Sequence, residues 1–173
     1  MYLSDLKKII FTLINENKYK VIYRPHPLDL TPKGKKEIVD EIIEQFIMFK
    51  NFKEDTSVSY FNSYSQSTIL ISDISSIAYT YAFATEKPVI FFSKNESLLK
   101  KDKFLQNNFI KDRNKIGIIC NNSNKIISCT KKIESNYNIY IKKIKSLRKK
   151  RIMYFNQSIN KIKDEINYII KKI

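Results

Sequence analysis

The stretch TILISDISSIAYTYAFATEKPVIFF, residues 68–92, has the pattern of a strand, a helix and a second strand. Thr68 to Ser72 is an almost uninterrupted apolar run, which predicts a parallel strand covered on both faces. A second apolar run, Pro88 to Phe92, predicts another strand. The residues between them recur at helical spacing: Ile74, Ile77, Ala78, Tyr81 and Ala82. Two strands joined by a helix form the repeating unit of a parallel sheet.

The same alternation continues on both sides of this unit. The predicted elements are a helix over residues 3–14, a strand at Tyr19–Tyr23, a helix from Thr31-Pro32 to Ile47, a weak strand near Asn51–Glu54, a short helix over Ser57–Gln66, and a strand at Ile116–Cys120 after a lysine-rich connection. We therefore expect an α/β fold that forms a single domain over residues 1–173. Its mostly parallel sheet has about five strands flanked by helices, and residues 124–173 form a helical C-terminal extension.

The charge balance is strongly basic, with 32 Lys and Arg residues against 17 Asp and Glu residues and a net charge of +15. Only four of the basic residues are arginines, whereas nucleic-acid readers favour arginine forks, so nucleic acid is a disfavoured partner. Two interpretations stay open. The lysines reflect the codon bias of an AT-rich genome, or they attract an anionic membrane surface or a phosphate-rich substrate.

Neither the cysteines nor the N-terminus indicates export. Cys120 and Cys129 are nine positions apart without a CxxC motif or a nearby histidine, which predicts ordinary thiols in a reducing cytoplasm. The apolar run from Ile9 to Ile14 is too short for a signal peptide, and no run approaches the roughly 18 apolar residues of a membrane span. We expect a cytoplasmic location, with peripheral contact at the inner face of the plasma membrane.

The only histidine, His26, lies in the turn Arg24-Pro-His-Pro27 that follows the first predicted strand. The two prolines prevent regular structure and hold the imidazole in a fixed turn. Since ligands bind beyond the carboxyl ends of parallel strands, His26 is a candidate site residue. The alternative is a structural turn residue that hydrogen-bonds the backbone.

A second turn, Ser72-Asp-Ile-Ser-Ser76, follows the strand at residues 68–72. Asp73 is predicted as the N-cap of the next helix, with Ser75 and Ser76 in its first turn. Free backbone N–H groups and hydroxyls at a helix N-terminus suit a phosphate or diphosphate, although a simple helix cap explains the same residues. The chain has only two glycines, which excludes a Walker loop and a GxGxxG fingerprint.

The two turns together resemble the carboxyl-terminal half of the CDP-glycerol glycerophosphotransferase family, the teichoic-acid polymerases and their capsule-synthesis relatives. The similarity is carried by YRPHP and by SDISSIAYTYAFATEKPVIFF; it spans about Lys18 to Phe92 and continues more loosely to the C-terminus. The resemblance implies that residues 1–173 form a single nucleotide-binding Rossmann-like domain, one half of a GT-B fold. It also implies a CDP-activated small-molecule donor, a polymer or lipid-linked acceptor, and no cofactor.

The resemblance also implies roles for individual residues. His26 matches the family's histidine near the donor diphosphate, Ser75 and Ser76 match its phosphate-binding hydroxyls, and Asp73 matches the acidic residue before them. Arg24 would add positive charge that helps CMP to depart, and Lys87 is a weaker substrate-binding candidate. No metal ligands are implied.

Two departures qualify the match. Ile74 replaces a frequent tyrosine, which favours the capsule-type relatives. The family's amino-terminal half, with its acceptor site and its proposed general base, has no counterpart here, so we expect a truncated product or a separately encoded partner.

Three functions follow as expectations. The first is transfer of glycerol phosphate, or a related alditol phosphate, in teichoic acid or capsule synthesis. The second is a GT-B glycosyltransferase half that uses a nucleotide sugar for a surface glycan. The third is a non-catalytic adaptor that binds anionic membrane through its lysines, and its exposed final helix would also favour oligomerisation.

Overall fold

The computed structural model describes residues 3–31, 33–101, 108–152 and 157–170. Its parallel strands are β1 (Val21–Tyr23), β2 (Phe52–Glu54), β3 (Leu70–Ser72), β4 (Val89–Phe92) and β5 (Gly117–Cys120). Its helices are α1 (Leu3–Asn15), α2 (Lys36–Phe46), α3 (Phe61–Gln66), α4 (Ile77–Thr85), α5 (Glu96–Lys101), α6 (Asn108–Lys111), α7 (Arg113–Ile116), α8 (Ile126–Ser135), α9 (Tyr137–Arg151) and α10 (Ser158–Ile170). The predicted Rossmann-like α/β class is confirmed.

The five strands form two parallel ladders, β1-β2 and β3-β4-β5. Val21 pairs with Phe52 in the first, and Leu70 pairs with Val89 in the second. The number of strands agrees with the prediction, but within the described residues no ladder joins β1 to β3. The sequence pattern predicts strands and not their pairing partners, so this division was not foreseen.

Both ladders point in the same direction, as the contacts at the two ends of helix α1 demonstrate. At the N-terminal end of α1, Asp5 contacts Lys94 and Ser123, which follow the carboxyl ends of β4 and β5. At its C-terminal end, the Ile14 carbonyl accepts a hydrogen bond from Asn51, which also donates to Tyr19 just before β1. Since α1 runs from one edge to the other, the carboxyl ends of all five strands lie at one edge of the fold.

The interior consists of two hydrophobic clusters, one under each ladder. The larger one surrounds β4 and the smaller one lies against β1 and β2. Helix α1 contributes to both, because Ile9 and Leu13 face the larger cluster while Ile10 and Ile14 face the smaller one. The hydrophobic repeat of α1 is thus a stripe wide enough to cover two neighbouring cores.

Burial differs between the two central apolar runs. Every residue of β4 is buried, as expected for a parallel strand with neighbours on both sides. The residues of β3 are only partly buried, so the predicted full coverage of this strand is wrong. The reason is its position, since β3 is the edge of its ladder rather than an interior strand.

Several helix boundaries also differ from the prediction. The lysine-rich connection after β4 contains the three short helices α5, α6 and α7. The helix predicted from Thr31-Pro32 begins later, at Lys36, and Pro32 lies outside the described residues. The C-terminal helices are present as predicted, and large side chains of α10 are more than half exposed. In the described ranges, no helix has the length and apolar character needed to cross a bilayer.

Gly117 shows how closely β5 approaches its neighbour. A Cβ atom at this position would collide with the Val89 carbonyl oxygen and with further backbone atoms of β4. The backbone there is extended, with φ of 179°, so the requirement is space and not conformation. One of the two glycines in the chain is therefore explained by strand packing.

Candidate functional site

The turn after β1 places His26 at the carboxyl edge, with its side chain exposed. His26 caps a short 3₁₀ helix, Pro27–Leu30, and its Nδ1 accepts a hydrogen bond from the Leu28 N–H at 3.2 Å. An accepting Nδ1 places the proton of the neutral ring on Nε2. The imidazole is thus held in one tautomer, which presents an N–H donor to a ligand at this edge.

Arg24, in the same turn, reaches sideways to the loop that follows β2. Its Nη1 lies 2.6 Å from Oδ2 of Asp55, and its Nη2 donates to the carbonyl oxygen of Ser57 at 2.8 Å. These contacts hold the loop against the turn that carries His26. The charge of Arg24 is largely balanced by Asp55, and these contacts can hold this part of the edge in place.

Asp55 is the centre of a buried polar cluster. Besides Arg24, it accepts hydrogen bonds from the hydroxyls of Ser57 and Ser63 and from the Ser57 backbone N–H at 3.0 Å. Burial by itself raises the pKa of Asp55, but the hydrogen bonds from the serines and Arg24 outweigh burial and hold the pKa well below its usual range. Asp55 is therefore a charged, fully engaged structural anion.

The turn after β3 leads into α4, whose first residue is Ile77. Ser76 is the N-cap, so the prediction that Asp73 caps this helix is wrong. The chain bends at Asp73 and Ile74 first, and the helical turn starts where the Ser75 carbonyl accepts from the Ala78 N–H at 3.3 Å. Asp73 and Ser75 are partly buried, and Ser76 is exposed beside the helix N-terminus.

The Ser76 side chain makes no capping hydrogen bond, and the Ser75 hydroxyl accepts only a long one, 3.4 Å, from the Ile77 N–H. The N–H groups of Ala78, Tyr79 and Thr80 already donate to the Ser75 and Ser76 carbonyls, so the Ile77 N–H is the weakly satisfied donor of this first turn. Such a helix end, with two hydroxyls beside it, can bind an anion through backbone and side-chain donors.

Lys87 lies at the other edge, two residues before the start of β4. Its ammonium group donates to the carbonyl oxygens of Tyr64, Ser65 and Ser67, at 3.0, 2.9 and 2.6 Å. These are the last carbonyls of α3 and the residue after it, where a cation is favoured by the helix dipole. Burial lowers the pKa of Lys87. The structure therefore does not bring Lys87 to the edge that carries His26 and the serines.

The structure brings the two turns to one edge but does not join them. The His26 turn follows β1 and the serine turn follows β3, and these strands belong to different ladders. Each turn makes its own local bonds, from Leu28 to His26 and from Ile77 to Ser75.

A cavity of about 620 Å³ opens at the same edge, beside the ends of β4 and β5. Asp5 is its buried charged group; its carboxylate lies 2.6 Å from Lys94 Nζ and accepts a hydrogen bond from Ser123. Polar side chains form the whole lining: Ser4, Asp5, Lys8, Lys94, Asn95, Asn121, Asn122, Ser123 and Asn124. These amides and hydroxyls would suit a ligand rich in hydroxyl groups or ring nitrogens.

Sequence reasoning missed Asp55 and the polar lining of this cavity. The signal was available, because Asp55 follows β2, Lys94 follows β4 and the asparagine run follows β5. Polar residues after every strand of a parallel sheet mark its ligand-binding edge. The sequence interpretation rested on the unusual histidine and prolines, so it missed these more common polar residues.

The two cysteines are neighbours in space. Burial, followed by a hydrogen bond with Cys120, raises the pKa of the Cys129 thiol to about 11. Both thiols are free. In the described part of the chain, no three His, Cys, Asp or Glu side chains come together in a group that could hold a metal ion.

These layers and turns define a class: an α/β protein of Rossmann-like architecture with polar residues at the carboxyl ends of its strands, the edge where such folds bind ligands. The model of one family, CDP-Glycerol:Poly(glycerophosphate) glycerophosphotransferase, matches residues 2–167. The chain therefore belongs to this glycerophosphotransferase family, and the resemblance seen in the two turns is confirmed. Neither the curated proteins nor the solved structures contain a match to this chain.

Proposed function

We propose that this chain is the donor-binding half of a glycerophosphotransferase, which transfers glycerol phosphate or a related alditol phosphate from a CDP-activated donor to a teichoic acid or capsule polymer. One observation supports it above all: the family's two motif turns, at His26 and at Ser75-Ser76, lie at the same edge of the fold. In this proposal, residues 1–173 act as one Rossmann-like half of a GT-B enzyme.

The donor diphosphate would bind between the two turns. One phosphate would accept hydrogen bonds from the weakly bonded Ile77 N–H and from the Ser75 and Ser76 hydroxyls. The other would accept a hydrogen bond from Nε2 of His26, whose orientation is fixed through Leu28. Arg24 and Asp55 would hold the His26 turn in place. Asp73 would orient the serine turn, and Lys87 would support α3 from the far edge and not bind the donor.

In the reaction, an acceptor hydroxyl oxygen would attack the phosphorus that carries the glycerol. The bond from this phosphorus to the bridging oxygen would break, and CMP would leave with the bonding electrons. His26 and the α4 N-terminus would stabilise the charge on the departing phosphate, with the Nε2–H group donating a hydrogen bond and keeping its proton. The proton of the attacking hydroxyl needs a separate base. His26 is the only histidine, so a second polypeptide or further domain would supply the base.

The cellular place of this reaction is part of the proposal. A lipid-linked acceptor would lie at a membrane, and the protein has a net charge of +15 together with an exposed isoleucine face on α10. Both features favour peripheral binding to an anionic inner membrane surface.

Titration calorimetry with four ligands tests the proposal. We expect the folded chain to bind CDP-glycerol or CDP-ribitol most tightly, CMP more weakly, and UDP-sugars least. Preference for a UDP-sugar would favour a GT-B glycosyltransferase half instead. No binding of any of the four by a chain with cooperative unfolding would contradict the donor-binding role and leave a non-catalytic adaptor as the remaining function.

A further inference from the structure

The cavity beside the ends of β4 and β5 is assembled from three separate parts of the chain. The first turns of α1 form one wall, and the segments that follow β4 and β5 form the others. Asp5 and Ser123 are the buried residues of the lining, and a hydrogen bond joins them although they are 118 positions apart in the sequence. The cavity is therefore a product of the tertiary fold and not a hollow in one surface loop.

The Asp5 carboxylate, on the floor of this cavity, is 4% exposed and lacks hydrogen bonds that a buried charge needs. Oδ1 accepts one from the Ser123 hydroxyl at 3.2 Å. Oδ2 lies 2.6 Å from Nζ of Lys94 but accepts no aligned hydrogen bond. The α1 dipole would be met equally well by an exposed carboxylate, so it does not explain the burial. Because the Lys94 side chain is 43% exposed, its ammonium group can shift and let a ligand hydroxyl donate to Oδ2.

The other polar groups of the lining offer donors and acceptors side by side. The Ser123 hydroxyl gives its proton to Asp5, so its oxygen remains an acceptor. Oδ1 of Asn122 accepts from the Asn124 N–H at 2.9 Å, so the Asn122 amide nitrogen remains a donor. A hydroxyl group both donates and accepts, and a molecule with neighbouring hydroxyls therefore matches this alternation.

The charges and the composition of the lining disfavour other classes of ligand. Lys8 and Lys94 repel a metal cation, and the Asp5 carboxylate on the floor repels a phosphate. None of the described lining residues has an apolar side chain, so a nucleobase or a lipid chain has no surface to stack or pack on. The volume of about 620 Å³ is ample for a neutral molecule with several hydroxyls.

We propose that this cavity is a polyol subsite, which binds a neutral unit with adjacent hydroxyl groups, an alditol or a sugar. One hydroxyl donates to Oδ2 of Asp5, and its neighbour accepts from the amide nitrogen of Asn122. No lining residue belongs to the two motif turns, so the inference does not depend on the binding of a donor diphosphate. Two sources carry this chemistry, the alditol units of a polymer and the ribose of a nucleotide.

Amide NMR of the full chain, with ribitol as the probe, gives the first test. We expect saturable shifts confined to the amides of residues 4–8, 94–95 and 121–124, with a Kd of about 10 mM for so small a ligand. The matched control is a pentanediol that carries hydroxyls only at its two ends, which should bind at least about tenfold more weakly. Equal binding of the two probes, shifts that spread over the chain, or no saturable shift would overturn the polyol subsite.

Substitutions in the lining give the second test. Asp5→Asn keeps the size of the floor and removes its charge, and the double variant Asn121→Ala, Asn124→Ala removes two amides of the wall. Each should weaken ribitol binding by about tenfold, whereas Asn138→Ala on the exposed face of α9 should leave the Kd unchanged. Urea unfolding checks that each variant is folded, and if Asp5→Asn fails to fold, the double variant decides. Ribitol binding at the parent level by a folded cavity variant would contradict the proposal.

Competition with CMP distinguishes the two sources of hydroxyls. Displacement of ribitol by CMP, with shifts of the same amides, would assign the subsite to the ribose of a nucleotide. Ribitol binding that CMP leaves unchanged would assign it to the alditol units of a polymer. Both results support the polyol subsite. Because ribitol binding is measured without a donor, a failure of CDP-glycerol to bind would contradict the donor-binding role and leave this inference standing.

Discussion

Nη1 of Arg24 lies 2.6 Å from Oδ2 of Asp55, so an ion pair joins the turn after β1 to the loop after β2. The Asp55 side chain is only 8% exposed and that of Arg24 is 25% exposed, which distinguishes this pair from an ordinary surface ion pair. Three further hydrogen bonds to Asp55 come from Ser57 and Ser63. The geometry of the His26 turn thus depends on a carboxylate that no motif identified.

Replacing this carboxylate should destabilise the protein. Asp55→Asn removes the negative charge that Arg24 and the two serines contact. We expect the free energy of unfolding at pH 7 to fall by about 2 kcal/mol. Urea unfolding followed by circular dichroism measures it. The matched control is Asp40→Asn on the exposed face of α2, which should change stability by less than about 0.5 kcal/mol. Equal effects of the two substitutions would show that the Asp55 cluster is unimportant.

The Asp55 cluster also predicts a pH dependence. The pKa of Asp55 in the folded protein lies well below the unfolded value of about 3.9. Its contribution is therefore fully present above about pH 5 and is lost as the pH falls toward the folded pKa. The stability difference between the parent and Asp55→Asn should shrink as the pH falls below about 4. A constant difference would contradict the depressed pKa.

Two substitutions at His26 separate its capping role from its proposed ligand contact. His26→Asn keeps a side-chain acceptor for the Leu28 N–H, whereas His26→Ala loses it and should cost about 1 kcal/mol of stability. Both lose Nε2, so both should weaken CDP-glycerol binding by about tenfold. Calorimetry and urea unfolding measure the two effects. Binding lost only in the alanine variant would show that His26 acts solely through the turn.

A substitution at Lys87 should lower stability without weakening donor binding, unlike the substitutions at His26. Lys87→Met keeps the apolar stem but leaves the carbonyls of Tyr64, Ser65 and Ser67 without their donor. We expect a loss of about 1–2 kcal/mol of stability with unchanged affinity for CDP-glycerol. Weaker donor binding by a stable Lys87→Met protein would restore Lys87 to the list of donor-binding residues.

The sequence was informative wherever local chemistry determines structure. The alternation around residues 68–92 predicted the α/β class, and prolines beside His26 predicted a fixed turn at a strand end. Boundaries were less predictable, because the bends at Asp73 and Ile74 delay α4 to Ile77. A helix start depends on the exact course of the chain before it, which residue preference does not specify.

Long-range pairing was beyond the sequence. The apolar run ending at Ser72 has the composition of an interior strand, yet β3 is an edge. Similarly, Lys87 directly precedes Pro88 in a motif segment, but its ammonium group binds α3 at the opposite edge from His26. Both outcomes depend on which residues meet across the fold, and neither hydrophobic period nor motif spacing encodes that information for a single chain.

The neighbouring thiols predict low reactivity despite partial exposure of Cys129. Burial, reinforced by Cys120, raises the pKa of Cys129 to about 11, so the reactive thiolate is scarce at neutral pH. Alkylation by iodoacetamide at pH 8 should be about a hundredfold slower than for free cysteine, and its rate should climb as the pH approaches 11. Cys120→Ser should change the alkylation rate of Cys129 only modestly, because burial is the main cause of the raised pKa. Rapid labelling of the native protein at pH 8 would contradict the assignment.

The exposed apolar face of helix α10 predicts binding to an anionic membrane surface. Three isoleucines recur on one face of α10, and those at positions 159, 162 and 166 are 82%, 60% and 51% exposed. Lysines 161 and 163 lie between them in the sequence. In flotation assays, we expect the chain to bind vesicles with phosphatidylglycerol and not vesicles of phosphatidylcholine alone. The double variant Ile162→Asn, Ile166→Asn keeps the charge and should abolish flotation.

The charge contribution of α10 is tested with a matched double variant, Lys161→Gln and Lys163→Gln, which keeps the isoleucine face. Each lysine contributes about 1 kcal/mol near an anionic surface, so this variant should bind about thirtyfold more weakly and not lose binding entirely. If the variant Ile162→Asn, Ile166→Asn floats with vesicles as well as the parent protein does, the apolar face of α10 does not contact lipid. The apolar face would then be available for contacts with protein, and the membrane would have no direct part in holding this chain beside its acceptor.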